Sequence, residues 1–280
     1  MIKSSLALLY GLALMPLIGG CSVPPYDKKK METFFTSDTY PQSHFVEGRG
    51  RQMHFVANET TNDNKPFIVF VHGAPGDWLA NAQFLADTDL KNVANIASVD
   101  RLGYNKSEKG VWEESLETQA ALLRSAIQKM NPKGRIILVG HSFGGPVISR
   151  YAMDYPDKVD HLVILAGSVD PELEFTKWFQ YIADWKWVRP IIPSALNVTN
   201  QEILALKNEL EIMLPLWRKI TADITVIQGK KDNLVPHENT AFIKQKIPDA
   251  KIIYLEGQNH FIPWNEYQLV KDTLLDLTKK

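Results

Sequence analysis

The chain has 280 residues, with 31 Lys and Arg against 32 Asp and Glu, so its formal net charge is −1. Hydrophobic residues make up 45% and charged residues 22%, the composition of an ordinary globular protein with room for one full-sized core. The balanced charge argues against bulk electrostatic capture of a nucleic acid. Because Cys21 is the single cysteine, an internal disulfide, a cysteine-based zinc site and a Cys-x-x-Cys redox pair are excluded.

The first twenty residues have the pattern of a secretory signal. Lys3 supplies a positive charge, and an apolar run from Leu6 to Ile18 follows it. The run is shorter than the ~20 apolar residues that a membrane-spanning helix needs, and Gly11 and Pro16 interrupt it. We therefore predict that residues 1–20 are a signal peptide that is removed from the mature protein.

The end of this signal carries a more specific motif. Ile18-Gly19-Gly20-Cys21 resembles the lipobox of bacterial lipoproteins, in which an aliphatic residue and two small residues precede the cysteine. The resemblance implies cleavage before Cys21 and acylation of its thiol and amine, and several acyl chains together give stable membrane anchoring. By the same resemblance, Ser22 favours the outer membrane. The expected location is therefore the bacterial cell envelope, with the protein facing the periplasm.

Residues 21–43 are predicted to be a tether between this anchor and the folded domain. The segment contains Pro24-Pro25, a run of three lysines from Lys28 to Lys30, and Pro41 at its end. Such a composition is typical of an extended, solvated linker. Contact of the three lysines with lipid head groups is the alternative interpretation. The folded domain is then expected to occupy residues 44–280.

From residue 44 onwards, predicted strands and helices alternate. A hairpin is expected around the Gly-bearing turn at residues 47–50. Continuous apolar runs, typical of strands that are buried on both faces, follow at Phe67–Val71, Ile96–Val99, Ile136–Val139, Leu162–Leu165, Ile224–Ile227 and Ile252–Leu255. Helical patterns fall at Ser115–Met130, Pro146–Tyr155, Asn239–Ile247 and Ile262–Leu277. This alternation predicts an α/β fold whose doubly wound sheet of about eight strands is mostly parallel.

The segment at about residues 171–220 interrupts the alternation. It has no clear strand pattern, yet it is rich in aromatic residues, including Trp178, Phe179, Tyr181 and Trp185. We predict an inserted helical cap over the C-terminal edge of the sheet, which is the edge where open parallel sheets bind their ligands.

The motif Gly140-His141-Ser142-Phe143-Gly144 follows a predicted strand directly and precedes a predicted helix. This is the context of the Gly-x-Ser-x-Gly nucleophile elbow, in which a sharp turn exposes the serine hydroxyl and crowds the positions on either side of it. The N-terminus of the following helix would add partial positive charge next to a developing oxyanion. We therefore predict that Ser142 is a nucleophile, and we expect His141 to point away from the substrate.

A serine nucleophile needs a base, and the base needs an acid that orients it. His260 lies on a loop just after the last predicted strand, and Asp232 follows the strand before it, so both are expected at the C-terminal edge of the sheet. The order Ser…Asp…His is the one found with this elbow. Asp170 follows the preceding strand and is the alternative acid.

Residues 44–280 resemble the α/β-hydrolase superfamily. The resemblance is carried by the elbow, by His72-Gly73-Ala74-Pro75-Gly76 after the predicted strand Phe67–Val71, and by the Asp100–Ser107 stretch, which is similar to the family's Asp-Arg-x-Gly-x-Gly-x-Ser. It implies that the backbone N–H groups of Ala74 and Phe143 form an oxyanion hole. Asn105 stands where the family pattern has glycine. We interpret the Asp100–Ser107 loop as structural.

Relatives of this fold that use an aspartate nucleophile, namely haloalkane dehalogenases and epoxide hydrolases, are disfavoured because the elbow of this chain carries Ser142. The expected function is a membrane-tethered serine hydrolase that acts on a small carboxylic ester, with no metal, cofactor or nucleic acid. A serine peptidase or amidase, an acyltransferase and a catalytically silent binding lipoprotein are the alternatives. The aromatic cap favours an apolar acyl or alcohol group.

Overall fold

The computed structural model describes residues 28–58 and 64–279 of the chain. The predicted signal peptide and the predicted lipidation site at Cys21 lie outside the described residues.

A single sheet of eight strands forms the centre of the described fold. Its order is β1-β2-β4-β3-β5-β6-β7-β8, with antiparallel pairing of β1 to β2 and of β2 to β4 and parallel pairing elsewhere. The strands are β1 (Gln42–Gly48), β2 (Arg51–Ala57), β3 (Phe67–Val71), β4 (Asn95–Val99), β5 (Ile136–His141), β6 (His161–Leu165), β7 (Asp223–Gly229) and β8 (Lys251–Leu255). The predicted fold class, a mostly parallel α/β sheet of about eight strands, is confirmed.

Helices cover both faces of this sheet. In chain order they are α1 (Lys28–Glu32), α2 (Ala82–Ala86), α3 (Thr88–Val93), α4 (Leu116–Met130), α5 (Gly144–Asp154), α6 (Trp178–Ala183), α7 (Ser194–Met213), α8 (Asn239–Lys246), α9 (Ile262–Asn265) and α10 (Tyr267–Thr278). None of the helices in the described ranges is long and apolar enough to span a membrane.

The central strands are buried on both faces because helices pack against each of them. Every residue of β3, β4 and β6 is buried, which explains why apolar residues dominate their sequences. Two hydrophobic clusters lie on the two sides of the sheet, one containing residues of α4 and α5 and the other containing residues of α2, α3 and α10. The sheet is therefore a rigid platform, and its C-terminal edge presents the loops that carry the candidate site.

The described part of the predicted tether differs from an extended linker. Residues Lys28–Glu32 form α1, and the side chains of Met31 and Phe35 are buried in the hydrophobic cluster that contains Trp78. The rings of Phe35 and Tyr40 lie 5.9 and 5.8 Å from the ring of Trp78. Packing of apolar side chains against the domain thus begins before residue 44.

The described residues between β6 and β7 contain helices and no strand. A 3₁₀ turn at Pro171–Leu173 leads to α6, a second 3₁₀ turn at Arg189–Ile191 leads to α7, and a third follows at Leu214–Lys219. The long helix α7 buries Leu206, Leu210 and Met213 against the main cluster. This segment, here called the cap, is therefore joined to the body of the domain by a packed helix.

Candidate active site

Strand β5 and helix α5 meet in a sharp turn that presents Ser142. The backbone of Ser142 has a φ of 53°, in the left-handed region that side-chain-bearing residues rarely adopt. Its N–H donates to the carbonyl oxygen of Leu165 on the neighbouring strand, at 2.9 Å. A Cβ at Gly140 would overlap the carbonyl oxygen of Gly144, and one at Gly144 would overlap that of Val71. The two glycines of the motif are therefore required by close backbone contacts.

His260 and Asp232 are in direct contact. The Nδ1 atom of His260 lies 2.8 Å from Oδ2 of Asp232, and both side chains are buried. The second carboxylate oxygen, Oδ1, accepts from the backbone N–H groups of Leu234 and Val235 at 2.9 and 2.8 Å. Burial raises the pKa of Asp232, but these hydrogen bonds and His260 outweigh it, so that the pKa is lowered overall. The carboxylate stays ionised and fixes the proton of the imidazole on Nδ1.

The loops that carry this pair touch each other at Gly229. A Cβ at Gly229 would overlap the carbonyl oxygens of Gln258 and Asn259. The N–H of Lys231 donates to the carbonyl oxygen of Gln258 at 2.9 Å, which ties the end of β7 to the loop before His260. Glycine at this position therefore lets the acid and the base approach to hydrogen-bonding distance.

Asp170, the alternative acid, has different partners. Its Oδ1 accepts from the N–H of Glu172 at 3.0 Å and caps the 3₁₀ turn at Pro171–Leu173. Its own N–H donates to the side chain of Asn239 at 2.9 Å. The carboxylate that contacts His260 is that of Asp232.

The predicted oxyanion turn lies beside the elbow. Ala74 and Phe143 line the same cavity as Ser142 and His260. Within the described parts of the chain, neither the N–H of Ala74 nor that of Phe143 has a hydrogen-bond acceptor. A Cβ at Gly73 would meet Cβ of Ser142 at 2.9 Å, so this turn packs tightly against the elbow. Two backbone donors are thus present on the wall of the cavity that contains the serine.

Arg101 holds this turn in place through hydrogen bonds, a role that the sequence did not reveal. The guanidinium is buried and donates to the carbonyl oxygens of His72 and Gly73 at 2.9 and 3.2 Å. It also lies 4.5 Å from the centre of the Phe143 ring. Its charge is balanced by the buried carboxylate of Glu202 on α7, with contacts of 2.5 and 3.0 Å. Arg101 therefore connects the oxyanion turn and the ring of Phe143 to the cap. This structural role agrees with our interpretation of the Asp100–Ser107 loop.

His141, the variable residue of the elbow motif, contacts the loop that carries His260. Its Nε2 lies 3.0 Å from the carbonyl oxygen of His260, and its ring lies 4.8 Å from the ring of His260 and 5.2 Å from that of Trp264. Burial, together with the nearby His260, lowers the pKa of His141 to about 3, so the ring is neutral and donates from Nε2. The side chain thereby holds the backbone of the loop that carries the base. The motif alone gave no signal for this contact.

The cavity itself has a volume of about 300 Å³. Its apolar lining comes from the cap, from the loop after β7 that carries Asp232, and from α9. It includes Leu173, Phe179, Ile203, Leu206, Val235 and Trp264. Glu174 from the cap adds one carboxyl group, which is hydrogen-bonded to Ser168. Burial raises the pKa of Glu174. No group of three His, Cys, Asp or Glu residues in the described ranges could hold a metal ion.

Comparison with known proteins identifies the family. Residues 66–204, which include the oxyanion turn, the elbow and part of the cap, match the family described as the alpha/beta hydrolase fold. The chain is a member of the α/β-hydrolase superfamily. An esterase from Exiguobacterium antarcticum has the same fold, with a TM-score of 0.67 and 20% identity over 85% of this chain and 100% of the esterase.

Two curated relatives have names that indicate different reactions. Epoxide hydrolase 1 of Caenorhabditis elegans is 28% identical over 152 residues, which are 51% of this chain and only 35% of that protein. Proline iminopeptidase PfmaB of Pestalotiopsis fici is 23% identical over 272 residues, covering 81% of this chain and 95% of that protein. At these levels of identity, the two relatives agree with the superfamily of this α/β hydrolase and do not specify its reaction.

One departure of this α/β hydrolase from the family pattern is accommodated by its backbone. Asn105, which replaces a glycine, has a φ of 45° in the left-handed region that asparagine tolerates better than most residues. Its side-chain amide donates to Oδ2 of Asp100 at 2.9 Å. The loop therefore keeps a glycine-like conformation without glycine.

Proposed function

We propose that this α/β hydrolase is a membrane-tethered serine hydrolase that cleaves a small carboxylic ester through an acyl-enzyme. The observation that carries the proposal is the buried hydrogen bond between Asp232 and His260, at one end of a cavity that also contains Ser142. An epoxide hydrolase mechanism through an aspartate at the elbow is not available to this chain, since Ser142 occupies that position.

In the proposed mechanism Nε2 of His260 is the base. Because Nδ1 carries a proton that is bonded to Asp232, Nε2 has a free lone pair and can take the proton of Ser142 as Oγ attacks the ester carbonyl. The N–H groups of Ala74 and Phe143 then stabilise the oxyanion, an effect commonly worth about 3–4 kcal/mol per donor. The imidazolium returns its proton to the leaving alcohol, and water attacks the acyl-enzyme through the same base.

The size and lining of the cavity support a small, largely apolar acyl group. A volume of about 300 Å³ is at the low end of ligand pockets, and apolar side chains from the cap form much of its wall. Such a wall stabilises hydrocarbon by burial and offers few partners to a polar substituent. A short-chain or aromatic ester satisfies these constraints.

A second candidate function, hydrolysis of an amide next to a free amine, is favoured by one residue. Glu174 places a carboxyl group in the cavity, where its ionised form would attract an ammonium group of a substrate. The similarity to a proline iminopeptidase over 95% of that protein agrees with this candidate. The raised pKa of Glu174 counts against this second candidate. Burial favours the neutral carboxyl group, whereas binding of an ammonium group requires the ionised carboxylate.

The test is a series of p-nitrophenyl esters of increasing chain length, measured beside amino-acid arylamides. We expect the highest kcat/KM for short esters, and we expect Ser142→Ala to lower it by about 10⁴-fold. Ser168→Ala is the matched control, since this second serine also lines the cavity but should change the rate far less. Preference for arylamides, lost in Glu174→Gln, would support the second candidate, and no turnover of either class would support a silent binding protein.

A further inference from the structure

The cap carries a cluster of aromatic side chains that solvent reaches, here called the aromatic surface. It consists of Phe175, Trp178, Tyr181, Trp185 and Trp187, all of them between 58% and 85% exposed. Soluble domains rarely leave so many large apolar side chains exposed within one short segment, and such patches mark interaction sites.

The backbone places these side chains together. Trp178 and Tyr181 are three residues apart on α6, and Trp185 follows four residues later. The N–H of Trp185 donates to the carbonyl oxygen of Ile182 at 3.1 Å, so the helical turn continues past the last residue of α6. Positions i, i+3 and i+7 lie on one face of a helix. The three rings therefore share one face, with Phe175 before it and Trp187 after it.

Basic residues outnumber acidic ones along the aromatic surface. Lys177 and Lys186 are exposed between the aromatic residues. Asp184 is the single acidic residue between positions 175 and 193, and its carboxylate is bound by Arg189 and by the side chain of Gln201. Residues 175–193 thus have a net charge of 3 − 1 = +2, although the whole chain has a net charge of −1.

The aromatic surface also adjoins the mouth of the candidate site. Phe175 and Lys177 belong both to this exposed segment and to the lining of the cavity that contains Ser142. Whatever covers the aromatic surface therefore lies next to the entrance through which a substrate reaches the serine.

We propose that the aromatic surface docks on an anionic phospholipid bilayer. Its aromatic rings would lie in the interfacial layer of that bilayer. Trp and Tyr favour the membrane–water interface because their rings are apolar and their N–H or O–H groups stay hydrated, and exposed lysines are attracted to anionic head groups. The proposed anchor at Cys21, on which this step depends, supplies the bilayer. Cys21 lies seven residues before Lys28, where α1 begins, so the anchor would hold the domain within ~25 Å of the membrane surface.

The experiment uses the tryptophans as reporters. The full-length protein is added to vesicles of phosphatidylcholine and phosphatidylglycerol, and its emission is compared with that in vesicles of the same lipids brominated on their acyl chains. Three of the seven tryptophans lie on the aromatic surface, whereas Trp78 and Trp217 are buried. We expect bromine to quench the emission, and we expect the triple change Trp178→Phe, Trp185→Phe and Trp187→Phe to reduce the quenched intensity several-fold.

Matched variants distinguish insertion of these rings from attachment through the acyl chains alone. Trp78→Phe should leave the quenched intensity unchanged, because the ring of Trp78 is buried under α1. The double change Lys177→Gln and Lys186→Gln should weaken quenching in the anionic vesicles and have little effect in pure phosphatidylcholine. Quenching needs no turnover, so Ser142→Ala should behave like the unmodified protein even if the proposed catalysis is wrong. Vesicle-bound protein without quenching, or quenching that survives the triple tryptophan change, would overturn the proposal.

Discussion

Two aspartates follow neighbouring strands of the sheet, and their carboxylates have different partners. Asp232 accepts from His260 and from two backbone N–H groups, while Asp170 caps a 3₁₀ turn. An acid that orients a catalytic imidazole acts by fixing its tautomer and stabilising the imidazolium. That function belongs to the carboxylate that touches Nδ1, so the two residues should differ sharply when their charge is removed.

We predict that Asp232→Asn lowers kcat for the best ester by about 10⁴-fold, because the amide would donate to Nδ1 and place the imidazole proton on the wrong nitrogen. Asp170→Asn is the matched control and should lower kcat by less than about tenfold, since asparagine can cap the same turn. Both are measured as ester turnover with parallel thermal melts. A larger loss from the Asp170 change would assign the acid to that residue.

The candidate catalytic residues are easier to predict from the sequence than the residues that contact and position their loops. Ser142 is predicted by a five-residue motif with a fixed backbone geometry, and Asp232 and His260 by their places after successive strands. Arg101 and His141 act through contacts with carbonyl oxygens of residues far away in the sequence. Such contacts depend on how loops pack in three dimensions, and a single sequence carries no local pattern for them.

At the level of elements, α7 is joined to the body of the domain by a buried ion pair. Glu202 accepts from Arg101, from Tyr104 at 2.7 Å and from Gln119 at 3.2 Å. Burial raises the pKa of Glu202, while Arg101 opposes this rise. Removing the carboxylate would leave a buried guanidinium without a counter-charge, which is far more costly than losing a surface ion pair.

We predict that Glu202→Ala lowers the free energy of unfolding by about 3–5 kcal/mol, as is typical when one member of a buried ion pair is removed. Glu211→Ala, on the exposed side of the same helix, should change it by less than ~0.5 kcal/mol. Urea denaturation followed by circular dichroism measures both. A loss below about 1 kcal/mol for Glu202→Ala would mean that the pair contributes little to attachment of the cap.

Sequence patterns predict the strands better than the helices. The continuous apolar runs locate β3 and place the boundaries of β4 to β8 within two residues, because a strand buried on both faces needs such a run. The short helices α2 and α3 are missed, since five or six residues are too few to show a period of 3.6. The single helix predicted at Ile262–Leu277 is instead α9 and α10, which are separated at Glu266, where φ is −123° and ψ is 38°.

At the scale of the whole molecule, a folded α/β hydrolase is joined to a proposed lipid anchor. We predict that the full chain, expressed in a bacterium with labelled palmitate, becomes labelled and that Cys21→Ser abolishes the label, because the acylated thiol and the cleavage site are both lost. Ser22→Ala is the control and should keep the label. Label that persists in Cys21→Ser, or an unlabelled wild-type chain, would contradict lipidation at this site.

The central claim is that Ser142 is a nucleophile activated by His260. A fluorophosphonate probe tests it directly, because the probe phosphonylates an activated serine and mass spectrometry of the resulting peptides locates the modified residue. We predict one covalent adduct on Ser142, formed rapidly by the unmodified protein and slowed by about 10³-fold or more in His260→Ala. An adduct on another serine, or labelling of Ser142 at the same rate without the imidazole, would contradict this claim.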